Sequence, residues 1–105
     1  MEVAKLPPQF VPALREFWSE PRYFKTLARD IRSLPALAES AAACTIPREM
    51  PVTVLSGSHQ SPAQLAAHRS IATRHIVVDG SAHWIHLDRP DLVADAILEI
   101  AAPSK

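Results

Sequence analysis

This chain of 105 residues has few glycines, a single cysteine and no net charge. Two glycines stand against ten prolines, so few turns can use a left-handed backbone and prolines mark many of the helix starts. The single cysteine, Cys44, excludes an intramolecular disulfide scaffold and suits a reducing cytoplasm. Cys44 follows an alanine run, and we expect it to be a small buried residue.

The charge balance narrows the range of partners. Eleven basic residues balance eleven acidic ones, which gives a formal net charge of zero. A neutral chain has no electrostatic attraction for phosphate backbones or anionic lipid, so neither nucleic acid nor a membrane surface is a predicted partner. His83 and His86 have the spacing of a ligand pair, but no third ligand stands beside them, and we predict no metal and no cofactor. The opening residues hold no apolar run typical of a signal peptide or membrane span, so we expect a cytoplasmic protein.

Residues 1–49 have a helical pattern. Apolar side chains recur at helical spacing over residues 9–18, and Pro12 can sit in the first turn of that helix. Ser19 is a candidate N-cap, and Pro21 suits the first turn of the helix that follows it. The sequence therefore predicts two successive helices in this part of the chain.

The second of these helices carries an apolar stripe over residues 23–34, with basic residues on its other face. Pro35 predicts an interruption, and the alanine-rich residues 36–43 predict a further short helix. Stripes at this spacing usually pack into a core, so we expect packing and not recognition of a ligand or partner. The loop over residues 45–50 is the predicted boundary between the two parts of the chain.

Residues 50–105 change to alternating strand and helix patterns. Apolar runs over residues 51–55 and 75–78 predict two buried strands. A helix over residues 62–72 lies between them, and His68 is assigned to its polar face. Pro90 begins another amphipathic helix. This order predicts an α/β fold with a βαβ unit, two parallel strands and a further helix. Two parallel strands form a poor sheet by themselves, so we expect another segment to complete it.

The segments MPVTVLSG (50–57) and SAHWIHLDRPDLV (81–93), with the helix and strand between them, resemble the C-terminal end of an α/β-hydrolase. In that family a penultimate strand is followed by a helix, and the last strand ends in a small-residue turn before the catalytic histidine. A proline-led helix then closes the domain. His83 falls on the family histidine. The resemblance implies a C-terminal βαβα fragment of an α/β-hydrolase over residues 50–105, preceded by a helical, cap-like segment over residues 1–49.

His83 also suits catalysis on its own chemistry. A histidine at the C-terminal end of a parallel strand lies in the crevice where open α/β sheets bind ligands. An imidazole can take a proton from a serine hydroxyl and return it to a leaving group. We therefore predict that His83 is the general base, at the C-terminal end of the last strand and partly exposed.

The other members of a catalytic triad are missing from the sequence. The family nucleophile sits in a G-x-S-x-G elbow, which the two glycines of this chain cannot form. The serines in the segments 56–58 and 80–81 stand beyond the nucleophile's place in the chain order, and we interpret both segments as turns. Ser58-His59-Gln60 occupies the usual position of the acid and supplies no carboxylate. We interpret Asp79 as a strand-end cap, with orientation of His83 as the alternative, and Asp88 as an N-cap near Pro90.

Three hypotheses for function follow. The first is a truncated hydrolase of the ester, acyl or related class, inactive alone, which needs an N-terminal portion with the elbow serine to act on a small-molecule substrate. The second is a non-enzymatic pseudo-hydrolase remnant or protein-binding module that associates through its open sheet edge. The third is a small-molecule pocket between the helical segment and the loop over residues 81–88. An upstream segment with the elbow motif would favour the first.

Overall fold

The computed structural model describes residues 3–102. Met1, Glu2 and residues 103–105, which the predicted segments include at their ends, lie outside the described residues. The chain divides between Thr45 and Ile46 into two compact units. Within residues 3–102, no helix combines the length and the hydropathy that crossing a bilayer requires.

The first unit is built from helices. Its elements are two short 3-10 turns and two α-helices, in chain order Val3–Lys5, Pro8–Phe10, α1 (Val11–Ser19) and α2 (Pro21–Ala42). Pro12 lies in the first turn of α1, as the sequence predicts. An edge-to-face contact between Phe17 and Tyr23, with ring centroids 5.4 Å apart, joins the two helices.

Helix α2 differs from its prediction in two respects. Ser19 is not its N-cap, because Ser19 ends α1 and its hydroxyl donates to the carbonyl of Arg15, while the extended residue Glu20 precedes Pro21. Pro35 does not interrupt the helix, which continues through it as one element of 22 residues. A proline removes only one helical N–H, and the alanines that follow have the highest helix propensity.

The prediction that Cys44 and the apolar stripe of α2 are buried in a core is also wrong. Cys44 is exposed, and its thiol donates to the carbonyl of Ser40 over 3.3 Å. None of residues 3–45 is fully buried, and the apolar stripe of α2 lies at the surface. The helical pattern predicts which side chains share a face, but it does not specify whether another element covers that face.

The second unit contains a two-stranded parallel sheet. Its elements are, in chain order, β1 (Thr53–Gly57), α3 (Pro62–Ile71), β2 (Arg74–Val78), α4 (Ile85–Asp88) and α5 (Pro90–Ala101). The pairing begins with Thr53 opposite Arg74 and ends with Gly57 opposite Val78. The predicted parallel strands, joined through a helix, are confirmed, and so is the α/β class. Strand β1 begins later than predicted and includes Ser56 and Gly57.

Local hydrogen bonds fix where these elements begin. Ser61 and Gln64 form a capping box at the start of α3, with Pro62 in its first turn. Thr73 joins the starts of the two strands, because its hydroxyl donates to the carbonyl of Val52 and accepts the N–H of Val52, each over 2.9 Å. The C-terminal ends of β1 and β2 consequently meet at the same edge of the sheet.

The centre of the second unit is small. Val78 at the end of β2 and Ala96 in α5 are its buried apolar residues among those described. An ion pair between Arg74 and Glu99 joins the start of β2 to α5. Val77 remains exposed although it lies in a strand. The sheet is therefore only partly covered.

Candidate functional site

Both glycines of the chain lie at the C-terminal edge of the sheet. A methyl group on Gly57 would collide with the backbone carbonyl oxygens of Ser81 and Ala82. The loop after β2 thus crosses directly over the end of β1. Gly80 has a φ of +70°, a conformation that glycine adopts without strain, and it turns the chain into that crossing.

Hydrogen bonds hold the two loops at this edge together. The backbone N–H of Ser58 donates to the carbonyl of Val78 over 3.1 Å. The Ser58 hydroxyl accepts the N–H of Gly80 over 3.0 Å. The turn that follows β1 and the turn that follows β2 therefore form one connected platform.

A buried hydroxyl joins the loop after β2 to α4. Ser81 is 1% exposed, and its Oγ donates to Oδ2 of Asp88 over 2.7 Å. The interpretation of Asp88 as an N-cap is wrong, because Arg89 holds that position before Pro90 without a capping side chain. Ser81 and Asp88 bracket the segment that contains His83. A charge-assisted hydrogen bond of this length restrains both ends of that segment.

The start of α5 carries an exposed ion pair. Arg89 donates from Nε and Nη2 to the two carboxylate oxygens of Asp91, over 3.0 and 2.7 Å. The side-chain hydrogen bond from Arg89 lowers the pKa of Asp91, and the same bond raises the pKa of Arg89. A carboxylate kept ionised in the first helical turn also interacts favourably with the helix dipole.

His83 lies in the bend between β2 and α4, with its side chain exposed. Its ring packs edge-to-face against Trp84, with centroids 5.2 Å apart. Within residues 3–102 the imidazole has no hydrogen-bond or ion-pair partner. It lines an open depression of about 160 Å³ whose lining residues are His59, Gln60, Gln64, Ala82 and His83. The depression thus brings His83 together with the loop that follows β1 and with the first turn of α3.

The imidazole of His86 contacts the same tryptophan ring as the imidazole of His83. Both rings contact Trp84, at centroid distances of 5.2 Å for His83 and 5.5 Å for His86. Over the part of the chain that the structure describes, no group of three or more histidine, cysteine, aspartate or glutamate side chains could hold a metal ion.

A second polar cluster was not predicted from the sequence. Ser56 Oγ lies 2.7 Å from Nδ1 of His68 and 2.8 Å from Nε2 of His75. A hydroxyl can donate only one proton, so one imidazole accepts it and the other donates an N–H to the Ser56 oxygen. His68 therefore faces the sheet and does not belong to the polar face of α3. The strand register provides a signal for part of this cluster, since Val54 pairs with His75 and Ser56 follows Val54 on the same face.

The Ser56 cluster has the spacing of a nucleophile and a base but lacks two other requirements of catalysis. A serine within hydrogen-bond distance of an imidazole is the geometry of an activated hydroxyl. Ser56 is only 1% exposed, however, so a substrate cannot reach its Oγ in this structure. Neither His68 nor His75 has a carboxylate partner in the described chain to orient its ring. We therefore assign the cluster a structural role between α3 and the sheet.

No protein-family model, no curated protein and no solved structure matches this chain. The observations that bear on function are therefore the position of His83, the loops that carry it and the order of the elements around it.

Replacement of Asp88 by alanine tests how the His83 segment is held. We expect Asp88→Ala to reduce the free energy of unfolding by about 2 kcal/mol, because the buried Ser81 hydroxyl loses its acceptor. Asp88→Asn retains an acceptor oxygen and should cost about 1 kcal/mol. Urea unfolding of both variants measures the difference. Equal losses for the two variants would contradict the role given to the acceptor.

Proposed function

We propose that residues 50–105 form the C-terminal part of an α/β-hydrolase fold and that His83 is its general base. The reaction class is hydrolysis of an ester, an acyl derivative or a related small molecule. One observation carries the proposal: an exposed imidazole follows the last parallel strand and lines a depression with the loop that follows the other strand.

The geometry of His83 suits proton transfer to and from a bound molecule. A general base must come within hydrogen-bond distance of the proton that it removes. The His83 ring is exposed, and no group in residues 3–102 occupies its nitrogens. It also lies where the loops at the carboxyl ends of parallel strands form ligand crevices. A hydroxyl group of another chain segment or of a bound molecule could therefore approach the His83 imidazole.

The sheet supports the proposal that a further chain segment completes the site. Its strand order is β1-β2, so each strand has one neighbour among the described residues and one edge without a strand partner. A parallel sheet of two strands is below the size that is usually stable alone. In the proposed enzyme, an N-terminal portion with the elbow serine and the oxyanion donors extends this sheet. It also supplies the acid, since residues 58–60 contain no carboxylate.

The chain alone is expected to hydrolyse nothing. Triad members act as a unit, so a histidine without its nucleophile retains little of the rate enhancement. We expect the purified protein and its His83→Ala variant to hydrolyse short-chain p-nitrophenyl esters at the same background rate. Initial rates measured beside buffer alone provide the test.

Turnover above background that is lost in His83→Ala would contradict this expectation. A serine within the chain would then be the nucleophile. Ser58→Ala, Ser81→Ala and Ser56→Ala would identify it. Ser58 and Ser81 are the first to test, because both lie in the two connected loops at the end of the sheet that carries His83. Rates that remain equal to buffer in all variants would support a site that needs completion.

A second candidate is a non-enzymatic pseudo-hydrolase module that binds a protein through the sheet edge. The unpaired edge of β1 or β2 favours it, because an open strand edge can pair with an added strand. The two candidates differ in whether the bound partner brings an elbow serine to His83. Restored hydrolysis in a complex supports the enzyme, whereas tight binding without hydrolysis supports the module.

A further inference from the structure

The first unit carries a continuous exposed apolar seam along α2. Its large members are 40–60% exposed, which is unusual for side chains of this size at helical spacing. The seam consists of Phe24, Leu27, Ile31, Leu34, Ala38 and Ala41. Leu37 lies beside it and, with Leu27, Ile31 and Leu34, lines an apolar groove of about 620 Å³.

The spacing of this seam matches a helix that packs lengthwise on another helix. Its members alternate steps of three and four residues from Phe24 to Ala41, as the a and d positions of a heptad repeat do. Such a seam stays aligned with a partner helix over its whole length. The face therefore fits an α-helix better than it fits a flat surface or a small molecule.

The sizes of the seam residues change along the helix. Phe24 and Leu27 at one end are large, Ile31 and Leu34 occupy the middle, and the other end carries only alanines. Facing layers pack without voids when large residues meet small ones. An antiparallel copy of α2 places Phe24 against Ala41 and Leu27 against Ala38 of the second copy, in each case twice by symmetry. A parallel copy would place phenylalanine on phenylalanine and leave the alanine layers empty.

The charges favour the same orientation. From 21 to 32, α2 carries four basic side chains and one carboxylate, whereas from 33 to 42 it carries one carboxylate and no basic side chain. An antiparallel pair lays the basic half of each helix along the acidic half of the other. The charged side chains lie outside the seam, so this preference is a weak long-range one: a parallel pair would bring two halves of net positive charge side by side. The helix dipoles also oppose each other only in the antiparallel arrangement.

We infer that α2 is a self-association surface, on which a second copy of this chain packs its own α2 in antiparallel orientation about a two-fold axis between Ile31 and Leu34. Isologous pairing of this kind is the commonest way in which soluble chains dimerise. The inference concerns the first unit and does not depend on the role of His83.

Sedimentation equilibrium of the full chain between about 1 µM and about 1 mM covers the range of moderate to weak association. We expect a concentration-dependent monomer–dimer equilibrium. Leu34→Glu buries two carboxylates at the centre of the seam and should raise the dissociation constant by about 100-fold or more. Ala36→Glu is the matched control, because it adds the same charge on the opposite face of α2 and should leave dimerisation unchanged.

Disulfide cross-linking tests the orientation. In a Cys44→Ser background, the double variant Leu27→Cys, Ala38→Cys should form a covalent dimer under mild oxidation, whereas each single variant should remain monomeric on a non-reducing gel. Positions 27 and 38 are about 16 Å apart along one helix, so they cannot bond within a chain.

Three results would overturn the inference. A chain that stays monomeric at every concentration would show that a second copy does not cover the seam. A dimer that Leu34→Glu does not weaken would use another surface. Cross-linking of the single Leu27→Cys variant would show a parallel pair.

Discussion

Gly57→Ala is expected to reduce the free energy of unfolding of the second unit by about 3 kcal/mol, the upper end of the usual cost of overpacking. The added methyl group would meet the carbonyl oxygens of Ser81 and Ala82. These are backbone atoms, which cannot rotate away as the end of a long side chain can. The loop that carries His83 would have to move away from β1, and its hydrogen bonds to the strand ends would be lost.

Gly80→Ala is the matched control for this prediction. An added methyl group at Gly80 has open space around it, but the residue has a φ of +70°. The cost is therefore limited to backbone strain, about 1 kcal/mol. Urea unfolding followed by the fluorescence of Trp84, in a Trp18→Phe background, reports on the second unit alone. A Gly57→Ala variant as stable as its parent would show that the loop does not cross the strand as closely as described.

The βαβ unit could be predicted because its determinants are local. Two short β-branched runs, the Ser61-Pro62 helix start and the Gly80 turn each act within a few residues, and the structure has all three. The position of His83 after the last strand follows from chain order alone. Strand boundaries were less accurate, since Ser56 and Gly57 pair with β2 although they resemble turn residues.

The polar contacts of Ser56 and Ser81 could not be predicted, because they depend on how separate elements pack against each other. Ser81 meets Asp88 only when α4 packs against the loop that follows β2. Ser56 meets His68 only when α3 packs on the sheet in one rotation. Local rules instead gave Asp88 an N-cap role and placed His68 on a polar helix face. Both errors come from assigning a polar side chain to the nearest helix end or helix face, when its partner is a hydroxyl on another segment.

The exposure of the apolar seam of α2 could not be predicted for a different reason. Its spacing predicts a core, and the spacing itself is correct. A stripe that packs inside a domain and a stripe that packs against another chain have the same period. Only the exposure of Phe24, Ile31 and Leu34 distinguishes them, and exposure is a property of the folded chain.

The largest expected effect concerns His83 in a completed site. In the proposed hydrolase, the parts still to be supplied are an elbow serine, oxyanion donors and an acid, which an α/β-hydrolase that ends before its penultimate strand could provide. Since residues 58–60 provide no carboxylate, that chain must carry its acid after an earlier strand. Its open sheet edge would then accept β1 or β2 as the next strand.

Ester hydrolysis by this two-chain complex is the most direct test of the proposed role of His83. We predict that the wild-type chain restores hydrolysis and that His83→Ala lowers the restored rate by about 1,000-fold or more, as loss of a triad member does. His59→Ala removes an imidazole that lines the same depression and should retain the rate. A soluble complex that hydrolyses esters equally with and without the His83 imidazole, or does not hydrolyse them at all, would contradict the account.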